Sequence, residues 1–164
     1  MIHFKPIKPG VLRDARIRAR VKKAMQEMGP EIQEDFEKTT ATWEHEPKFH
    51  IKLTDFSDGL SLEVYTQDQI YAWVNDGTLP YRIYPKNAWM LVFPGTFRPK
   101  TTPRVIGSGP GYSGGDLQFR PYVYHPGIEA RDFDLEIEDI WKPKMKPRLE
   151  KAMKLAAKEC GHGG

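Results

Sequence analysis

Residues Phe133 to Ala156 read FDLEIEDIWKPKMKPRLEKAMKLA, and the choice between strand and helix there decides the fold. Phe133, Leu135 and Ile137 alternate with acids, as in a half-buried strand. Yet Phe133, Ile137, Trp141, Met145, Leu149, Met153 and Ala156 recur at spacings of three or four, which places them all on one helical face. Strands rarely run beyond about ten residues, so the length of the stripe selects a helix. Asp134 is the expected capping residue. Pro143 predicts a kink, and Lys142 to Pro147 interrupts the helix.

The N-terminal half mirrors this pattern. Val21, Met25, Met28, Ile32, Phe36, Thr40 and Trp43 form a second helical stripe. A helix over residues 11–45 would span roughly 50 Å at the α-helical rise. Gly29-Pro30 falls inside it, but the stripe keeps its phase across the break, which predicts one kinked helix rather than two. Residues 1–9, with Ile2, Phe4, Ile7, Pro6 and Pro9, read as a short edge strand or extended arm.

The middle of the chain is β-rich. His50–Leu53 and Leu60–Tyr65 alternate with period two around a Ser57-Asp58-Gly59 turn. Thr66 is the expected N-cap of a short helix from Asp68 to Asn75, stopped by Asp76-Gly77. Tyr81–Tyr84 and Ala88–Phe93 read as strands about a Pro85-Lys86-Asn87 turn, and Leu117–Tyr124 as a fifth. Ten of the 22 residues from Pro94 to Gly115 are Gly or Pro, which predicts a long hairpin loop whose only charges are Arg98, Lys100 and Arg104. The expected fold is α+β: two long helices packed on a curved antiparallel sheet of about 4–5 strands, in a single domain over residues 1–160 with a short tail over 160–164.

Composition sets outer bounds. A chain of 164 residues, 39% hydrophobic and 29% charged, buries a core and is not compositionally disordered. The single cysteine, Cys160, excludes an internal disulfide framework and suits a reducing compartment. No apolar run is long enough to span a membrane, and MIHFKPIKPG lacks the apolar centre of a signal peptide. His3, His45, His50, His125 and His162 match no metal-ligand spacing, and no cofactor is implied. The glycines of 107–115 precede a strand, not a helix, so they make a hairpin tip and not a phosphate cradle. Ser57, Ser61, Ser108 and Ser113 lack a nucleophile elbow. No catalytic constellation emerges, and a non-enzymatic role is expected.

Charge placement is more informative than the net +3. Residues 11–23 carry +5, 24–46 carry −6, 126–141 carry −5 and 142–158 carry +6. Basic residues at the start of the first helix oppose its macrodipole, so local helix stability did not choose that order. The blocks can pair within one subunit, between subunits, or set a basic end against DNA. The candidate interface residues are Arg13, Arg16, Arg20, Glu31, Glu34, Arg98, Lys100, Arg104, Arg131, Lys144, Arg148 and Lys151.

Three segments taken together resemble a known family. They are Tyr71-Ala-Trp-Val-Asn-Asp-Gly77-Thr78, then Ile83-Tyr-Pro-Lys86 with Trp89-Met-Leu-Val-Phe93, then Tyr124-His125-Pro126-Gly127-Ile-Glu-Ala-Arg131-Asp-Phe133 before a basic C-terminal helix. Their order and spacing resemble the neck and tail-completion (head–tail connector) proteins of long-tailed bacteriophages and prophages, related to the minor tail protein Z type. The likeness covers residues 10 to 158. It implies a homo-oligomeric ring, hexameric or dodecameric, that joins a filled head to a tail or terminates the tail tube. The implied partners are further copies and other neck, tail-tube or connector proteins, and the implied setting is the virion, reached from the host cytoplasm. Gly77-Thr78, His125-Pro126-Gly127, Arg131 and Phe133 become structural or interface positions, and Arg98, Lys100 and Arg104 face the lumen where DNA passes. Two other readings stay open: a small nucleic-acid-binding protein using 13–23 and 142–158, and an enzyme with a pocket lined by Trp73, Tyr81, Tyr84 and Trp89.

Overall fold

The structure, a computed structural model, describes residues 2–4, 14–107 and 109–159. It is α+β, and its described residues form three helices and three small antiparallel sheets. Two compact units divide the chain.

The first unit takes residues up to Glu37, Lys48–Gln67 and Asp134 onward. Helix α1 (Ala15–Thr40) runs unbroken through Pro30, so one helix forms there, as expected. Asp14 starts it, accepting the Arg16 and Ile17 N–H groups on Oδ1. Its stripe of Val21, Met25, Met28, Ile32 and Phe36 is buried. The stripe faces a three-stranded sheet of order β1-β3-β2, made of β1 (Ile2–Phe4), β2 (Phe49–Phe56) and β3 (Gly59–Thr66). Strand β1 is an edge strand, as its sequence predicted; residues 5–9 lie outside the described residues. Leu60, Leu62 and Val64 of β3 are buried, every second residue, because only one face of this sheet is covered. Gly29 lets α1 approach closely: a Cβ there would stand 3.0 Å from Ile51 Cγ2 and 3.5 Å from Leu62 Cδ1. Phe36 and Phe49 pack with ring centroids 5.3 Å apart.

Helix α3 (Phe133–Glu159) runs through both Pro143 and Pro147, so Lys142 to Pro147 does not break it as the sequence suggested. Both prolines lie on the exposed face, where the ring meets solvent instead of core. Ile137, Trp141, Met145, Leu149 and Ala156 are buried. Trp141 Nε1 donates to Asp35 Oδ2 at 2.9 Å, and Arg148 holds Glu31 with two bonds of 2.7 and 2.9 Å. Arg20 Nε reaches Glu159 Oε2 at 3.2 Å. These three links run in opposite directions along the two helices, which makes them antiparallel neighbours.

The second unit comprises Lys38–Pro47 and Asp68–Phe133. It contains α2 (Gln69–Asp76) and two two-stranded sheets, β4 (Tyr81–Ile83) with β7 (Val123–His125), and β5 (Leu91–Arg98) with β6 (Tyr112–Arg120). Several expectations are corrected here. The strands divide among three small sheets and not one of four or five. Asp68, not Thr66, caps α2: its Oδ1 accepts the Tyr71 N–H at 2.8 Å. Tyr81–Ile83 does not pair with the following strand about Pro85-Lys86-Asn87 but with β7, 40 residues on, as Tyr81↔His125 and Ile83↔Val123. The stretch Leu117–Tyr124 is two strands, because β6 and β7 serve different sheets. The Gly/Pro-rich loop is shorter than expected, since β5 extends to Arg98 and β6 begins at Tyr112. A register shift between Pro94 and Thr96 sets Gly95 against Gly115 and Asp116, one residue more on β6 than on β5.

Candidate interaction surface

The two most specific sequence elements meet in space. Gly77 ends α2 with φ +77°, and the next residue, Thr78, forms an isolated antiparallel bridge with Ile128. Thr78 N donates to Ile128 O at 2.9 Å, and Ile128 N returns a bond of 3.2 Å. The Thr78 hydroxyl accepts a further bond from Ile128 N at 3.0 Å. Gly127, with φ +93°, passes so close that a Cβ would lie 2.3 Å from Thr78 O. The His125 ring caps this turn, its Nδ1 accepting Gly127 N at 3.0 Å. His125 is therefore a turn-capping residue.

Arg131 ties three segments to this clamp. Its N–H is shared between Val74 O at 3.1 Å and Asn75 O at 3.0 Å, while its carbonyl accepts Arg104 N at 3.0 Å. Its guanidinium Nε donates to Thr101 Oγ1 at 3.1 Å, with both residues buried. The Gly/Pro-rich loop is thus anchored at Thr101 and Arg104. Lys100 Nζ adds a bond to Thr42 O at 3.0 Å, and Gly109 N donates to Lys100 O at 2.7 Å.

Beyond the clamp, this unit displays large apolar side chains. In β5–β6, Val92 stands opposite Phe119 and Pro94 opposite Leu117, so the four share one face. Val92, Leu117 and Phe119 are 54%, 60% and 59% exposed. Phe97, Tyr112 and Trp89 are also exposed. On β4–β7, Tyr81 stacks on His125 at 4.9 Å, and Arg82 lies over the Tyr122 ring at 5.6 Å. Tyr81, Tyr84, Tyr122 and Tyr124 nonetheless remain about half exposed. The second unit thus displays large apolar side chains on both of its two-stranded sheets.

No protein-family model, curated protein or solved structure matches the chain.

The candidate interface residues fall into two groups. In the first unit, Glu31 pairs with Arg148 and Arg20 with Glu159, so these charges close on each other within one chain. The acidic block 24–46 meets the basic block 142–158 there, whereas the first basic block meets Glu159 and β2, where Arg18 and Lys22 both bind Asp55. The Arg148 guanidinium holds the Glu31 carboxyl below its usual range, and Arg18, then Lys22, do the same for Asp55. Lys144 lies over the Trp141 ring at 5.1 Å. Arg16, Glu34 and Lys151 are exposed on the helices, and Arg13 lies outside the described residues. In the second unit, Arg98, Lys100, Arg104 and Arg131 come together around the loop, while the Arg104 guanidinium is 4.0 Å from Asp132. Sequence reading missed Val92, Leu117 and Phe119. Leu117 and Phe119 alternate with polar neighbours, which signals a strand with one apolar face, whereas Val92 sits in the continuous apolar run Leu91-Val92-Phe93. Only the structure shows that their shared face is the uncovered one.

Among the described residues no group of three His, Cys, Asp or Glu side chains is placed to hold a metal ion, and no helix is long and apolar enough to cross a membrane.

Proposed function

We propose that this protein is a structural subunit of a long-tailed bacteriophage or prophage, a tail-completion or head–tail connector protein that assembles with further copies into a ring at the junction. The observation that carries this reading is the uncovered apolar face of β5–β6, built from Val92, Pro94, Leu117 and Phe119. A two-stranded ribbon is marginal alone in water, and a subunit destined for assembly buries such a face against its neighbour. The clamp between the Gly77-Thr78 and His125-Pro126-Gly127 turns supports the family resemblance, because it makes its two sharpest elements one structural unit. The finer expectation, one curved antiparallel sheet of about 4–5 strands packed by the two long helices, belongs to this reading of the subunit within its assembly.

The nucleic-acid reading draws less support, because Arg18, Arg20 and Arg148 are engaged with carboxylates of their own chain. The aromatics of the enzyme reading, Trp73, Tyr81, Tyr84 and Trp89, are exposed and suit a docking face better. Replacing Val92, Leu117 and Phe119 with threonine keeps β-propensity and removes the apolar face. In an extract that joins heads to tails, this variant is expected to fold and to fail in joining. Normal joining by the variant would defeat the proposal.

A further inference from the structure

The second unit contains a cavity of about 950 Å³ beside the β5–β6 ribbon. Its walls are mainly apolar, with Trp43, Phe97 and Tyr112 prominent; its cations are Arg98, Lys100 and Arg131, and its carboxylates Glu44 and Glu129. Arg131 is the unusual member. Its side chain is only 8% exposed, and its nearest carboxylate, on the 80% exposed Glu129, stands 4.0 Å from Nη1, outside hydrogen-bond range. Thr101 satisfies Nε alone. Its two Nη groups keep solvent contact on the cavity side and form no hydrogen bond to the described residues, so the guanidinium fork is open to an arriving carboxylate.

From this geometry we infer that the cavity receives the first turns of α3 from a second copy of the chain. Those turns present Leu135 and Ile140 to solvent, 55% and 37% exposed, flanked by Glu136 and by Asp139, which is 75% exposed and held at 3.5 Å by Lys142 Nζ in the single chain. Leu135 and Asp139 are four apart and share a face, as do Glu136 and Ile140. The stripe therefore carries both the apolar groups that the walls need and the carboxylates that Arg131 and Arg98 need. Asp139 binds Arg131, Leu135 enters beside Trp43 and Tyr112, and Glu136 meets Arg98 at the rim. Donor and acceptor are different surfaces of the same chain, so the contact is head-to-tail and closes into a ring when its rotation allows. The inference rests on the ring-forming reading and names the contact that makes the ring.

The test is sedimentation velocity of the full chain over a concentration series, with Asp139→Asn, Arg98→Glu, Glu136→Arg and the Arg98→Glu/Glu136→Arg double variant. Circular dichroism checks the fold of each. Each single change is expected to weaken self-association about tenfold, the size of one charge-assisted bond, and the double variant to recover most of the Arg98→Glu loss. A wild-type chain that stays monomeric at millimolar concentration overturns the inference. So does association that none of these variants alters. In either case the ring reading is still decided separately by the head–tail joining assay with the threonine variant.

Discussion

Gly127 is the residue on which the second unit's clamp most depends. Its φ of +93° lies where side chains are strained, and the Thr78 carbonyl occupies the space that a Cβ needs. Gly127→Ala is expected to cost about 2–4 kcal/mol, read as a lower urea midpoint. Gly77 is under the same constraint, since its Cβ would meet Ile128 O at 2.7 Å. The acids predict a pH dependence. Hydrogen bonding from Arg148 lowers Glu31, and hydrogen bonding from Arg18 lowers Asp55. At Asp68, burial raises the carboxyl, but the Tyr71 N–H and His45 outweigh it and the net direction is down. A carboxylate lowered in the folded state contributes stability that is complete above its unfolded pKa and is lost as pH falls through the folded one. Stability is therefore expected to hold at neutral pH and to decline once pH drops below the ordinary 4.5 of Glu31 and 3.8 of Asp55. Urea unfolding at a series of pH values checks this, and Glu31→Gln should flatten the acid limb. These pairs are exposed, so the slope should be shallow and reduced by salt.

Among the elements, the two long helices differ in how their charges sit. Helix α3 has Asp134 and Glu136 in its first turn and Lys158 in its last, in line with the macrodipole. Helix α1 has no acid in its first turn, and its early arginines reach instead to Asp55 and Glu159. Tertiary pairing thus explains an order that helix stability alone opposes. The prolines of α3 carry a separate consequence. Pro147 cannot donate to the Pro143 carbonyl, and it is exposed, so Pro147→Ala removes no packing. That change is expected to stabilise the protein by about 1–3 kcal/mol, seen as a raised urea midpoint. The helix stripes were legible because a buried face of five or more residues repeats its period many times. The pairing of β4 with β7 was not, because three-residue strands carry almost no periodicity and their partners are set by the Thr78–Ile128 clamp.

For the whole molecule, the charge blocks and the Gly/Pro excess take on separate meanings. The blocks on α1 and α3 close largely within the first unit, while the second unit carries most of the uncovered aromatic and aliphatic surface. Its loop carries the exposed basic residues Lys100 and Arg104, the latter at φ +56°. Brief trypsin treatment of the native protein is therefore expected to cut first after Arg104, and mass spectrometry of the fragments reads this directly. An assembled ring should resist the same cut.

By itself the sequence determined the α+β class, both long helices and the hairpin of β2 and β3, because each rests on periodicity or a local turn. It also brought together the residues of the Gly77-Thr78 and His125-Pro126-Gly127 turns as one resemblance, without showing that they touch. Only the tertiary structure decided which strands pair, which charges close on each other, and that the apolar face of β5–β6 points outward. The physical reason is the same in each case. Periodicity records that a face is apolar, whereas what covers that face depends on residues far away in the chain.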